Sequence, residues 1–343
     1  MATVPNSNDM TGSRSLVAPQ FDSTTQPTRT RLSHSRSRHE LLDQVYRELT
    51  KTTDAVAFHA ILDRWIANLR EVRLHADARQ WMDWVASCRD HRLRELLLED
   101  PFTRRSCEKP RGYSGDAVLL DFIYGVEEDW PEPEMSKVGK IIFDYTTRSA
   151  APEGVRARRA YIAQKIDDLA SKKNQPFILS VASGHFREAL LCQSLKRRKL
   201  GRVVALDADP QSLEVVERDY GRWGVETLPT NVKSLLRGQS YPDQFDLIYS
   251  LGLFDYLKES TSRRLIHHLF GALNPGGRLV VANFLPGIKD VGYMEAFMDW
   301  KLLYRNRRQM IEMTMDIPED QVANINLKAE ENRNIIFLEV TRC

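Results

Sequence analysis

Phe177-Ile178-Leu179-Ser180-Val181-Ala182-Ser183-Gly184-His185 is the stretch on which the fold turns: an apolar run, broken by one serine, passes directly into small residues. A short run with no polar face reads as a strand covered on both sides. Small residues behind it let the backbone turn sharply and approach a ligand, with the amides of a following helix N-terminus as donors. The pattern repeats downstream. Phe186 to Leu195 reads as helix, Arg202 to Leu206 as strand, Pro210 to Tyr220 as helix, Phe245 to Tyr249 as strand, Ser262 to Leu273 as helix and Gly277 to Phe284 as strand. Apolar strands alternating with helices imply an α/β fold with a parallel sheet covered on both faces. The run Asn334 to Val340 adds one more strand, expected to close the sheet antiparallel at its edge.

Ligands on such sheets sit at the carboxyl ends of the strands, near the switch in strand order. At the end of the second strand stands Asp207, about 20 residues after the small-residue turn, where a carboxylate can accept both hydroxyls of a ribose. Turn and acid together describe a nucleoside pocket. The turn has no GxGxxG, which argues against a pyrophosphate and hence against a nicotinamide cofactor.

Upstream, Leu41, Leu42, Val45, Tyr46 and Leu49, then Ile61, Leu62, Trp65, Ile66 and Leu69, recur at helical spacing, with Asp54 a fitting N-cap for the second run. A third run passes through Trp81, Trp84, Leu93 and Leu97, and Asp100-Pro101 is expected to stop it. The organisation expected is a disordered tail over 1–38, rich in Ser, Thr and Pro, a helical N-terminal domain over 39–100, a lid and linker segment over 101–154, and a ligand-binding sheet domain over 155–343. The lid is the charged, glycine-containing stretch Arg104 to Asp116, and a linker lies around Trp130 to Glu134. The arginines of the tail, at 14, 29, 31, 36 and 38, are compatible with an organellar targeting peptide, but its prolines oppose the amphipathic helix such a peptide needs.

Composition narrows the class. With 343 residues, 49 Lys plus Arg against 47 Asp plus Glu and a net charge of +2, the chain has no large basic field, so neither nucleic acid nor an anionic membrane is an expected partner. Cys88, Cys107, Cys192 and Cys343 form no CxxC and have no histidine cluster nearby, so no metal is expected and a reducing cytoplasm suits the chain. No apolar run approaches the ~20 residues a membrane span needs. The Trp and Leu faces of the N-terminal region can bury against the sheet or against a second copy, which would make a homodimer.

The turn at 180–185, the acid at 207, the strand Phe245-Asp246-Leu247-Ile248-Tyr249-Ser250 and the turn Leu273-Asn274-Pro275-Gly276-Gly277-Arg278-Leu279 together resemble the class I methyltransferases, which have a Rossmann-like sheet and bind S-adenosylmethionine. The likeness runs from Val155 to the C-terminus. It implies that Ala182, Ser183 and Gly184 line the amino-acid end of the cofactor, that Asp207 holds its ribose, that Asn231 and Val232 flank the adenine, and that Ser250 and Leu251 floor the pocket. Two departures stand out: a single glycine remains in the first motif, and Asn231 occupies the place of an acid. Cys107 to Asp116 and Tyr293 to Arg305 are similar, more narrowly, to a bacterial small-molecule group that includes 3-hydroxy fatty acid methyl ester synthases and the arginine N-methyltransferase of streptozotocin-type biosynthesis.

Methyl transfer needs in-line approach of a nucleophile, so the protein supplies proximity, orientation and, for an amine or guanidinium, a carboxylate that guides or removes a proton. Candidates are Glu108, Asp116, Asp255, Glu295 and Asp299, of which Asp255, Glu295 and Asp299 are the expected catalytic set. Glu108, Arg111, Tyr113, Asp116, Tyr256, Tyr304 and Arg305 are the expected acceptor-binding set. A guanidinium acceptor calls for two converging carboxylates; a fatty carboxylate calls for a cation such as Arg111 or Arg305 and an apolar tunnel. No tunnel signature is evident, which tips the reading toward an arginine-like guanidino amino acid over O-methylation of a 3-hydroxy fatty acid. Bland alternatives stand beside these roles: Asp299 and Arg305 as solvated charges, His185 as a packing or capping histidine, and Arg111 with Asp116 as an ion pair fixing the loop. A sensor that binds the metabolite without transfer is the non-enzymatic alternative, and a nucleic-acid methyltransferase is disfavoured by the absence of a basic, aromatic-laced binding segment.

Overall fold

The apolar runs pair as their lack of a polar face requires. A computed structural model, which describes residues 37–126, 135–237 and 244–343, contains β1 (Phe177–Val181), β2 (Arg202–Asp207), β3 (Val225–Pro229), β4 (Phe245–Ser250), β5 (Leu273–Phe284), β6 (Val322–Ala329) and β7 (Ile335–Arg342) in one sheet of order β3-β2-β1-β4-β5-β7-β6. β1 to β5 pair in parallel, and β7 is antiparallel to both of its neighbours. The expected strand at 334–340 is therefore antiparallel, but it is not the edge: β6 covers it. Residues 335–340 are all buried, an apolar surface that an unprotected edge does not tolerate. β6 itself is largely exposed and of mixed composition, which hid it in the sequence.

The helices are α1 (Arg38–Thr50), α2 (Ala55–His75), α3 (Ala78–Asp90), α4 (Leu93–Leu97), α5 (Pro101–Glu108), α6 (Ala117–Tyr124), α7 (Lys137–Thr147), α8 (Ala150–Lys172), α9 (Gln193–Lys196), α10 (Pro210–Tyr220), α11 (Val232–Leu236), α12 (Glu259–Gly271), α13 (Val291–Ala296) and α14 (Arg307–Glu312). Ser37 with Glu40, and Asp77 with Gln80, form capping boxes, and Asp54 caps α2 as expected. The third run, divided into α3 and α4, ends at Leu97 before Asp100-Pro101, and that pair also starts the next helix. The Asp100 carboxylate accepts the amides of Phe102 and Thr103, and Pro101 takes the first turn of α5, where its missing N–H costs nothing. The helix expected over 186–195 is broken into a 3₁₀ turn, Arg187–Leu190, and α9, because Asp167 of α8 captures the amides of Gln193 and Ser194 and starts a new helix there.

The expected domain boundaries are corrected by the packing. Ser37–Cys343 is one compact unit; the boundary at 154/155 falls inside α8, and the segment 101–154 holds α5, α6 and α7, with residues 109–116 as the loop between α5 and α6. Of the tail expected at 1–38, residues 1–36 lie outside the described residues, as does the linker at Trp130 to Glu134. Successive strand residues face opposite sides. Ile178, Leu247 and Tyr249 join one core with Phe58, Leu62 and Trp65 of α2, and Leu179 and Ile248 join another with Leu265 and Ile266 of α12. The N-terminal helices thus share a core with one face of the sheet, α2 and α3 packing on α13.

Candidate active site

Chain progression reverses between β1 and β4, and the crevice of a doubly wound sheet forms at such a point. The turn after β1 is tight: Ala182, Gly184 and Phe186 all adopt left-handed backbone, with φ of 55°, 52° and 53°. Strain at the non-glycine positions is held by the surroundings. The amide of Ser183 donates to the Leu206 carbonyl at 3.0 Å, and that of Gly184 to the Asp207 carboxylate at 2.7 Å. Glycine at 184 is doubly needed, since a Cβ there would also lie 3.3 Å from Cβ of Ala117. Asp207 accepts the Asp209 amide at 2.9 Å as well, so one carboxylate braces two turns. Burial pushes its carboxyl up, while the amides of Asp209 and Gly184 favour its charged form.

A cavity of about 670 Å³ opens above this frame, within the range of a small-molecule site. Ala182, Ser183, Gly184, Asp207, Asn231, Val232 and Leu251 all line it. Ser250 does not. It is wholly buried at the end of β4, and its neighbour Leu251 supplies the wall, as strand alternation requires. The Asn231 side-chain oxygen caps α11 through the Ser234 amide at 3.0 Å.

Loop 109–116 crosses the cavity from the other side. Arg111 donates to Asp209 at 2.9 Å and to Ser212 at 3.0 Å, and its Nη1 lies 3.3 Å from Nε2 of His185. Nδ1 of His185 lies 2.6 Å from Asp121. His185 is thereby a cavity-lining group in a buried network that Arg187 completes by donating twice to Asp121. The expected Arg111–Asp116 pair is not formed. Asp116 takes Arg105 at 2.8 and 2.9 Å and caps α6 through the Leu119 amide, buried and away from the cavity. Tyr113, Tyr256 and Trp300 line the mouth, with the Trp300 indole donating to the Tyr256 hydroxyl at 2.7 Å. A Cβ on Gly115 would sit 2.5 Å from that hydroxyl and 2.8 Å from the indole, so only glycine lets the loop pass.

Among the five candidate carboxylates, Asp255 alone lines the cavity. It is 2% exposed, its Oδ1 accepts the Phe284 amide at 2.8 Å, and its Oδ2 lies 3.7 Å from Nη1 of Arg158. Burial, opposed by Arg158, raises its pKa to about 7. Glu295 instead accepts from the Trp81 indole at 2.7 Å and from Arg73 at 2.8 Å, tying α13 to α2 and α3. Asp299 is bound by Arg89 and Lys109, each at 2.5 Å; although burial pushes its carboxyl up, these partners hold it below the ordinary value. Glu108 is exposed at the end of α5. Tyr304 packs against the core with its hydroxyl buried. Arg305, 5% exposed, clamps the segment after β4 by donating to the carbonyls of Phe254 and Leu257 and to Asn283 and Ser262. None of these five lines the cavity.

Among the cavity-lining groups that escaped the reading of the sequence in this role are Arg158, Asp121 and Glu188. A signal existed for the first. Ala151, Val155, Ile162 and Ile166 form the buried stripe of α8, and Arg158 stands in that stripe at helical spacing, 4% exposed. Asp121 likewise interrupts an otherwise apolar α6.

Residues 178–277 match the family model described as a methyltransferase domain. Over that stretch the chain carries a methyltransferase domain, of the kind that takes its methyl group from S-adenosylmethionine. The frame fits that donor: a carboxylate at the end of β2, a turn of small residues against which an amino-acid end can lie, and a cavity large enough for a nucleoside and an acceptor. The methyltransferase shares its fold with a possible exported protein from Bordetella parapertussis, at a TM-score of 0.54 and 15% identity over 84% of this chain and 96% of that one. N-methyltransferase NodS from Bradyrhizobium japonicum WM9, solved with S-adenosyl-L-homocysteine, matches at a TM-score of 0.41 and 13% identity over 65% of this chain and 98% of that one. Magnesium protoporphyrin IX methyltransferase from Synechocystis PCC 6803 matches at 0.45 and 10% over 67% and 96%. No curated protein matches the chain. Among the described residues, no helix is long and apolar enough to cross a membrane, and no cluster of His, Cys, Asp and Glu could hold a metal ion.

Proposed function

We propose that the methyltransferase acts on a small molecule admitted between Tyr113, Tyr256 and Trp300, at a nucleophile that must give up a proton. The donor, when bound, supplies an electrophilic methyl group on a sulfonium. In this reading Asp207 holds the ribose, Asn231 and Val232 flank the adenine, and Ala182 to Gly184 with Leu251 border the amino-acid end. Asp255 carries the reading. It is the candidate carboxylate on the cavity wall, and a carboxyl held at about 7 can accept a proton near neutral pH. Arg111, locked to Asp209 and Ser212, holds the loop across the cavity and excludes water from it.

An amine or guanidine of an amino-acid-like acceptor, as in small-molecule biosynthesis, is the nucleophile this arrangement favours. The convergent pair of carboxylates that a guanidinium fork would use is reduced to one, however, and Arg158 puts a cation on the same wall. That cation favours a second reading, O-methylation of a carboxylate such as a 3-hydroxy fatty acid. The four free thiols suit a reducing cytoplasm as the place of action. Incubation with methyl-labelled donor and separate pools of amino acids, fatty acids and RNA tests the proposal. Label in the amino-acid fraction supports it, label in a lipid ester supports the second reading, and donor binding without transfer to any pool refutes both.

A further inference from the structure

Arg158 is a buried cation without the partners that normally justify one. Taking a guanidinium out of water costs several kcal/mol or more unless hydrogen bonds and a counter-charge compensate it. The side chain has five N–H donors. Among the described residues it makes no hydrogen bond, and its Nε is fully buried with no partner. The charge nearest to it is Asp255, 3.7 Å away and beyond hydrogen-bonding distance, with Oδ1 of that carboxylate already committed to the Phe284 amide. The ring of Phe284 lies 6.0 Å from the guanidinium carbon. Glu188, also on the cavity wall, is engaged by the Tyr249 hydroxyl at 2.7 Å.

A second observation marks the open face of this group. Gly252 follows Leu251 directly at the end of β4, and its backbone is not left-handed, so its conformation does not call for glycine. Space does. A Cβ at 252 would meet Nη2, Cζ and Nη1 of Arg158 at 3.2, 3.8 and 3.9 Å, the three nearest atoms all belonging to that one guanidinium. The glycine keeps the fork uncovered toward the cavity that both residues line.

We propose that Arg158 is a carboxylate receptor in the cavity, binding either the amino-acid end of the donor or an acid group on the acceptor. A planar fork with unused donors matches a carboxylate bidentately, and the buried setting strengthens each bond. The inference rests on the reading of the cavity as the site of donor and acceptor.

Calorimetry on the full chain separates the sources. S-adenosylhomocysteine carries a carboxylate; 5′-methylthioadenosine presents the same nucleoside without one. If the donor's carboxylate is bound, Arg158→Gln weakens S-adenosylhomocysteine about ten- to a hundredfold, leaves methylthioadenosine within about twofold, and Arg158→Lys falls between. If the acceptor's is bound, both nucleosides keep their affinity while L-arginine or 3-hydroxydecanoate loses about tenfold or more on the protein saturated with S-adenosylhomocysteine. Gly252→Ala covers the fork while leaving the charge opposite Asp255 in place, and gives the same pattern even if the glutamine variant folds poorly. Unchanged binding of all four probes, or parallel loss of both nucleosides with no loss specific to a carboxylate, overturns the proposal. Failure of the wild-type chain to bind either nucleoside overturns the donor site itself, a result distinct from any change at Arg158.

Discussion

Replacing Asp207 with Ala removes two things at once, and the structure shows how to tell them apart. The carboxylate accepts the amides of Gly184 and Asp209 at 2.7 and 2.9 Å, and its side chain stands on the cavity wall at 8% exposure. Losing the brace leaves two largely buried amides short of a partner, which costs about 1–3 kcal/mol for each and lowers the unfolding midpoint of the ligand-free chain. Losing the charge-assisted bonds to the ribose costs about 1.5–3 kcal/mol of binding, a ~10- to ~150-fold rise in the dissociation constant of S-adenosylhomocysteine. Adenosine and 2′,3′-dideoxyadenosine separate the two effects, because the brace serves both ligands and the ribose bonds serve adenosine alone. Calorimetry should therefore show adenosine losing its advantage over the dideoxy compound in the variant. Equal losses for the two nucleosides would reduce Asp207 to a scaffold residue; an unchanged constant in a folded variant would remove it from the site.

Asp255→Asn should remove the limb of the pH–rate profile that rises through about 7 in the wild type, measured at saturating donor; a limb that persists would assign the proton to another group. The same shift has a stability consequence of defined sign. The folded-state pKa is raised above the ordinary carboxyl value, so its stabilisation is complete below pH ~4 and is lost as pH rises through about 7. Wild type should thus lose stability relative to Asp255→Asn across that window, and the comparison cancels Asp100, whose carboxyl burial raises to about 6. Glu295→Ala should lower stability by about 1–3 kcal/mol, because it strands the buried Trp81 indole N–H, while leaving the affinity for S-adenosylhomocysteine within about twofold. A large affinity loss at unchanged melting temperature would return Glu295 to the binding machinery.

The sheet was legible in the sequence because its strands are buried on both faces and carry no competing pattern. The runs at 177–181, 202–206 and 245–249 fall within β1, β2 and β4. β6 was not, because a largely exposed edge strand of mixed composition looks like a loop until its partner is known. The cavity residues legible in advance are those whose position follows from local geometry: the turn after β1, the acid ending β2 and the residues just past β3 and β4. Carboxylates were harder. Glu295, Asp299 and Asp116 have the right chemistry for a site, but each is paired with an arginine from another helix, α2 and α3 for the first two and the preceding α5 for Asp116, and sequence carries no measure of that pairing. Arg158 was readable by a rule of opposite form, a charge standing where helical periodicity demands an apolar residue.

The same long-range pairs explain why the N-terminal helices belong to the methyltransferase and are not an appendage. Asp299 receives Arg89 from α3 and Lys109 from the end of α5, and its carbonyl accepts the Ser114 hydroxyl at 2.9 Å, so one residue fixes both ends of the loop that carries Tyr113 and Gly115 over the cavity. Trp300, its neighbour, then meets Tyr256 from the segment after β4. The mouth is therefore assembled from the crossing loop, Trp300 and the segment after β4, with α3 bracing it through Asp299, and Arg111 ties the loop to Asp209 two residues beyond Asp207. Arg111, 14% exposed against 18% for Asp209, is thus the partly buried tie between the middle of the loop and the sheet, while Lys109 and Ser114 on either side of it are held by Asp299.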